Sequence, residues 1–284
     1  MNSATAITDE HLDQIRALLL DQCGIVIGDA RHPLIEESVA RLLVAHQASS
    51  VDEFLQSAST IQSGLRDQLV NAVISRESAW FRDPEYFDAI INEVFPTLEE
   101  QLSNKTKSKL RFWSAGCSTG QEIYSLALAV HNHRKLSISS PDFPLDCEFV
   151  GTDVSPAALF LAVSGRYDQQ AISSGLNEDY RARYFVKEGQ IYALRDVIRR
   201  SVKFYPHNLL DPVAGFATNP FDLVLLRYVL EYYSESAQRQ VIEQIANSMS
   251  PGGILFLGCG ETLPQNDFFS EHLFDHLVGY RRKA

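Results

Sequence analysis

The sequence predicts an α/β fold, a mostly parallel sheet with an antiparallel closing strand, preceded by a small all-helical domain. Three observations carry this. The stretch 110–126 opens with an apolar run to Ala115, breaks into Gly116-Cys117-Ser118-Thr119-Gly120, and resumes with Ile123, Leu126, Ala127 and Val130 at helical spacing. Strand, glycine turn and helix make the opening βα unit of a Rossmann-like, nucleotide-binding domain. Further strand-length apolar runs follow at 147–152, 202–205, 221–226 and 253–257, alternating with helical stretches. Ahead of them, residues 1–88 carry apolar positions at helical spacing.

Composition narrows the function. With 284 residues, 45% of them hydrophobic, the chain has enough apolar surface for a sizeable core. A net charge of −11 argues against nucleic acid or an anionic membrane surface as a general partner. No apolar run approaches the roughly 20 residues of a membrane span, so no stable membrane insertion is expected. The opening M-N-S-A-T-A-I-T-D-E has no basic region followed by an apolar one, so no signal peptide is expected. Cys23, Cys117, Cys147 and Cys259 form no C-x-x-C pair and read as reduced thiols of a cytoplasmic protein. No metal is expected: the eight histidines show no ligand spacing, and His131-Asn132-His133 reads as an exposed polar turn. No G-x-S-x-G marks a serine hydrolase.

In chain order, Thr8-Asp9-Glu10 caps a helix carrying Leu12, Ile15, Leu18 and Leu19. A second helix carries Leu34, Ile35, Val39, Leu42 and Leu43; a third starts at Ser50-Val51-Asp52; Leu65, Leu69, Val73 and Ile74 suggest a fourth. Trp80 and Phe81 read as packing residues. Arg82 follows them directly, ahead of Asp83-Pro84, and its plain reading is a surface salt bridge to Asp83 or Glu85. Residues 89–109 form a connecting helix, interrupted or ended near Pro96, and a polar, basic linker. The α/β domain spans 110–284.

Within it, Gly116 and Gly120 let backbone approach a ligand, and the helix start offers N–H groups and a positive dipole end. Asp153 closes the second strand, placed to accept both hydroxyls of a ribose. The alternative is an N-cap role ahead of Ser155-Pro156. Residues 166–200 read as irregular, with a hairpin turn near Glu188-Gly189. Asn208 has a plain alternative as a turn residue. The aromatic-rich tail, 268–280, supplies closing antiparallel strands.

The motif W-S-A-G-C-S-T-G-Q-E-x-Y-S resembles the first motif of the chemoreceptor glutamate O-methyltransferases, the CheR family. Four further stretches fit in order: Ser78-Ala79-Trp80-Phe81-Arg82 resembles T-x-F-F-R; Gly151-Thr152-Asp153-Val154-Ser155 the second-strand acid; Asn208-Leu209-Leu210 the N-L-L; and F-D-L-V-L-L-R-Y-V-L-E-Y-Y followed by P-G-G-I-L-F-L-G the F-D-x-I-x-C-R-N-V-x-I-Y-F and P-G-G strand. They span nearly the whole chain. The resemblance implies a class I methyltransferase domain with a small β-subdomain near 166–200. It also implies S-adenosylmethionine as cofactor, S-adenosylhomocysteine as product, and a chemoreceptor or other signalling protein as methyl acceptor. In the role the family gives them, Ser78, Arg82, Gly116, Ser118 and Glu122 lie at the methionine end, Asp153 at the ribose, and Asn208 and Leu209 at adenine. Arg227 and Tyr228 also border the cofactor. Arg82, Arg227 and Tyr232 serve the transfer itself.

The parts nearest the ribose and adenine keep the family's residues, while those near the methyl and acceptor depart: N-x-T before F-F-R is Arg76-Glu77-Ser78, and Glu-Glu-Pro in the first motif is Gln121-Glu122-Ile123. R-N-V is Arg227-Tyr228-Val229, the apolar residue before the motif tyrosine is Glu231, and G-H-S-E is Gly258-Cys259-Gly260-Glu261. Two further readings therefore stay beside protein-glutamate O-methylation: a divergent member that binds cofactor as a sensor or interaction module, and a methyltransferase for another acceptor. The short turn at Glu188-Gly189 predicts no pentapeptide tether. Residues 1–88 hold six basic against fourteen acidic side chains, a net of −8. The second helix keeps only Arg41 and adds Glu36 and Glu37, which predicts poor docking of an acidic receptor helix.

Overall fold

The computed structural model describes residues 7–26, 28, 32–59, 68–69, 78–135, 146–213 and 220–284. Its strands are β1 (Leu110–Ala115), β2 (Cys147–Asp153), β3 (Arg166–Asp168), β4 (Phe185–Glu188), β5 (Ile191–Leu194), β6 (Val202–Pro206), β7 (Phe221–Leu226), β8 (Met249–Leu257), β9 (Phe269–Phe274) and β10 (Leu277–Arg282). Seven form one sheet in the order β6-β2-β1-β7-β8-β10-β9. The first five are parallel, and β10 runs antiparallel to both β8 and β9. Every residue of β1 and β7 is buried, as central strands covered on both faces require. Chain order reverses across β1, with β2 and β6 on one side and β7 and β8 on the other. Ligands bind outside the strand ends at such a switch point.

The two faces of the sheet carry different layers. One buries Trp113, Val150, Val224 and Leu255 in a cluster with Leu12, Ile15, Leu19, Ile35, Val39 and Phe54 of the N-terminal helices. Those helices are Asp9–Cys23, His32–His46 and Val51–Ala58. Thr8 caps the first, accepting from His11 N–H while the His11 ring accepts from Thr8 N–H; Ser50 caps the third. Of the expected fourth helix, only Leu69 lies within the described residues. The other face packs Phe112, Phe149 and Phe256 with Trp80, Tyr124 and Tyr184. No helix among the described residues is long and apolar enough to cross a membrane.

Two expectations are corrected. His131 and His133 lie in the helix Gln121–His133, and His131 is buried against the Tyr184 hydroxyl, 3.0 Å away. The polar pair misleads because its helix ends there. Residues 166–200 are regular: β3, β5 and β4 make a small antiparallel sheet, interleaved with short helices. The basic linker is also anchored, since Lys107 pairs with the buried Asp222, which accepts from Arg111 N–H at 2.9 Å.

The interruption near Pro96 is a π segment, Ile90–Val94, between the helices Pro84–Ala89 and Phe95–Ser103. Proline supplies no N–H and crowds the carbonyl four residues back, which a wider turn relieves.

Candidate active site

The glycine loop after β1 is fixed by backbone bonds. Gly116 and Cys117 both donate to Thr152 O at 2.8 Å, and Gly120 donates to Cys117 O at 2.9 Å. Gly116 has φ +82°, and a Cβ there would meet Val229 at 2.7 Å. Ser118 is left-handed too, at φ 49°, and its N–H donates to Asp153 Oδ2 at 2.7 Å. Asp153 Oδ1 accepts from Ser155 N–H at 2.8 Å, while Ser155 itself caps the Pro156–Ser164 helix. Asp153 is therefore not the N-cap; it ties the loop to the end of β2. A carboxylate offers about four acceptor positions, and these two N–H bonds take two of them. The Ser118 hydroxyl is buried without a hydrogen-bond partner. A polar atom so placed costs free energy unless something binds it.

The adenine-side residues join the same cluster. His207 N–H donates to Asp153 O at 3.0 Å, Asn208 Oδ1 accepts from Leu210 N–H at 3.1 Å, and Leu209 is buried. The side-chain turn expected for Asn208 is present, on a loop that leads directly from the acid.

Glu122 links this half to the next. On the first turn of its helix, it accepts from Ser114 Oγ at 2.7 Å and from Arg227 Nη1 at 3.1 Å. Arg227 also reaches Asp83 Oδ2 at 2.5 Å and Arg82 O at 2.8 Å. Its side chain is only 1% exposed and lies over the Tyr86 ring at 4.5 Å. Two carboxylates and a carbonyl balance this buried cation. Its neighbourhood does not lower Tyr86: burial pushes that phenol up to about 12 despite Arg227.

Asp83, one of the two acids read as salt-bridge partners of Arg82, has other partners as well. Its carboxylate takes Arg227 and the Tyr228 hydroxyl, and makes no cap bond to its own helix. The Arg82 guanidinium lies over the Tyr228 ring, 3.5 Å from its centroid. Ser78 is partly buried at the start of this segment. Tyr232 is partly buried in a short 3-10 turn, Leu230–Tyr232, and its carbonyl accepts from Val26 N–H at 2.7 Å.

Of the eight non-glycine residues with positive φ among those described, four stand here: Phe81, Asp83, Ser118 and Tyr228. Backbone of this kind concentrates at functional sites. Three residues of the cluster are not candidates from sequence: Asp83, Ser114 and Glu261. Glu261 accepts from Tyr228 N–H at 2.6 Å and Gly258 N–H at 2.7 Å. An aspartate between an arginine and a proline is the available signal for the first; Ser114 within W-S-A-G and Glu261 at the end of the G-H-S-E match are the signals for the others.

Residues 76–276 match the family described as CheR methyltransferase, SAM binding domain. The chain is similar to the chemotaxis protein methyltransferase Cher2 of Pseudomonas putida, 34% identical over 253 residues that cover 88% of this chain and 90% of the relative. Chemotaxis protein methyltransferase 1 of Pseudomonas aeruginosa is 35% identical over 249 residues, 87% of this chain and 88% of that one. Among solved structures, the DszA carbon methyltransferase overlaps with a TM-score of 0.40 at 16% identity, covering 88% of this chain and 51% of its own. The family match runs through well over half of the chain and takes in both halves of the site, so this protein belongs to the CheR methyltransferase family.

Proposed function

We propose that this protein methylates glutamate side chains of a chemosensory receptor, in the cytoplasm, with S-adenosylmethionine as donor. One observation carries the reading. A nucleoside-type half, Asp153 with the Ser118 loop, is joined through Glu122 to Arg227 at the end of β7, which in turn meets the Arg82 carbonyl. The residues fit the donor: an acid for two hydroxyls, a buried hydroxyl awaiting a partner, and a carboxylate at a helix start. When bound, S-adenosylmethionine supplies an electrophilic methyl and leaves as a neutral thioether.

The chain's own task is therefore orientation and exclusion of water, not proton transfer. In this reading Asp153 holds the ribose, Asn208 and Leu209 flank adenine, and Gly116, Ser118 and Ser78 border the methionine end. Glu122 receives its ammonium. Arg82 orients carboxylates there. Arg227, almost fully buried, acts through Glu122 and Asp83. The Tyr232 hydroxyl serves the reacting centre. Residues 1–88 act as the acceptor-reading unit, 89–109 as connector, and 110–284 as the transfer unit.

The test is transfer of a labelled methyl group to receptor cytoplasmic fragments. A glutamyl ester releases the label as methanol in base. Base-stable label, or no label with intact S-adenosylhomocysteine binding, would favour another acceptor or a sensor.

The acceptor surface carries its own expectation. Arg41 of the second helix is paired with Glu37 at 3.0 Å, and Arg16 of the first lies 3.3 Å from Asp13. Both arginines are thus partly neutralised within a unit of net charge −8. Methylation of a generic acidic receptor helix should be slow and should rise with salt as repulsion is screened. A fast rate that falls with salt would contradict this. The two-residue Gly189-Gln190 turn between β4 and β5 supports the absence of a pentapeptide tether.

A further inference from the structure

We infer that Tyr228 is a positioning residue that fixes the Arg82 guanidinium for carboxylate binding, through a ring clamped by Asp83, Gly258 and Glu261. The inference rests on the role given above to Arg82. It begins with the backbone. Tyr228 has φ 58°, a conformation rare for a bulky residue. Its N–H is bound by Glu261 Oε2, which also takes Gly258 N–H. The ring then crosses Gly258 so closely that a Cβ there would stand 2.7 Å from Tyr228 Cε1. Beyond the ring, the hydroxyl donates to Asp83 and accepts from Cys259 N–H at 3.1 Å.

The ring is therefore held at its backbone, across one face and at its hydroxyl. Over the ring lies Arg82, with Cζ 3.5 Å from the centroid. The approach is well within the range of cation–π attraction. The arginine's own backbone is bent to reach it, since Phe81 and Asp83 on either side are both left-handed, at φ 47° and 52°. A guanidinium stacks through its face, and its N–H donors lie in its plane. A fixed ring thus sets the plane in which Arg82 meets a carboxylate. The same Asp83 carboxylate holds Arg227, so one acid sets the position of both arginines.

Ordinary packing would surround the ring with apolar groups. Here it meets a guanidinium, a carboxylate, an N–H group and a glycine, which suits a platform better than a core position. The asparagine that the family's R-N-V motif places here tolerates left-handed φ but offers no ring.

That difference supplies the experiment. Tyr228→Asn keeps the backbone conformation accessible and removes the platform; Tyr228→Phe keeps the platform and removes the hydroxyl. Each is made in the full-length chain, alone and combined with Arg82→Ala. Methyl transfer to a receptor fragment and S-adenosylhomocysteine affinity by calorimetry are both measured. Whichever quantity Arg82→Ala lowers, Tyr228→Asn should lower about three- to thirtyfold, and Tyr228→Phe by less. The double variant, Tyr228→Asn with Arg82→Ala, should match Arg82→Ala alone. Additive losses would overturn the proposal, as would a Tyr228→Phe loss equal to that of Tyr228→Asn. Absence of methyl transfer in the unmodified protein would count against the acceptor reading, and the affinity cycle would still decide the coupling. Thermal melting accompanies each variant. Should Tyr228→Asn not fold, Tyr228→Phe with and without Arg82→Ala decides the question in its place: the clamp requires the phenylalanine ring to keep more than half of any Arg82-dependent quantity.

Discussion

Around Asp153 the site is built almost wholly from backbone. Gly116, Cys117, Ser118, Ser155 and His207 all contribute N–H groups, to two acceptor residues, Thr152 and Asp153. Around Arg227 it is built from side-chain charge: two carboxylates, a second arginine and a tyrosine, drawn from three separate stretches of chain. The first kind of construction depends on conformation and tolerates varied side chains. The second depends on each member, because removing one leaves a buried charge without compensation. Substitutions should therefore act differently in the two halves: on affinity in the first, and on stability or turnover as well in the second.

The largest effect should come from Arg227→Ala. It leaves Glu122 and Asp83 facing each other without their shared cation, and about 3–5 kcal/mol of stability should be lost. Chemical denaturation gives the number, and a loss under about 1 kcal/mol would mean the network carries little. Next is Asp153→Asn, which weakens charge-assisted bonds worth about 1.5–3 kcal/mol. S-adenosylhomocysteine affinity should fall ten- to a hundredfold by calorimetry, with a much smaller change in stability. Unchanged affinity would remove Asp153 from the ribose.

A smaller effect is expected where the N-terminal helices meet the site. Gly24 sits against Leu210, and Val26 N–H holds Tyr232 O. Val26→Pro deletes that donor, and at about 0.5–1.5 kcal/mol for one hydrogen bond turnover should drop two- to tenfold. Val26→Ala, with its N–H kept, should not change it; equal losses in both would point to the side chain.

The smallest concerns Glu261. Burial holds its carboxyl above the ordinary range, although the N–H groups of Tyr228 and Gly258 pull it down. The folded chain thus keeps this proton to higher pH than the unfolded one. Stability should fall as pH rises from about 4.5 through the raised value. Glu261→Gln should flatten that slope, by about one or two degrees in melting temperature. An unchanged slope would mean that Glu261 is ordinarily charged.

The two halves are also unequally legible in the sequence. Strands β1 and β7 can be read to their ends, because fully buried parallel strands are mostly apolar, broken here only by Arg111 and Ser114 in β1 and by Asp222 in β7. Gly116, Ser118 and Glu122 lie within seven residues, so a local motif can announce them. The partners of Arg227 lie 105 and 144 residues away, and only folding brings them together. In sequence Asp83 is a neighbour of Arg82, yet its carboxylate serves Arg227. The regularity of the 166–200 segment is hidden for a similar reason: its three strands are three or four residues long, too short to show a period.

Whether the halves separate in function is tested most directly by Tyr232→Phe, measured for S-adenosylhomocysteine affinity and methyl transfer on the same preparation. The change removes one hydroxyl on the transfer side and leaves the Asp153 loop untouched. Affinity should stay within about twofold while transfer falls about tenfold or more. A parallel loss of both would place Tyr232 on the cofactor and contradict the division, and an unchanged rate would remove its hydroxyl from the transfer.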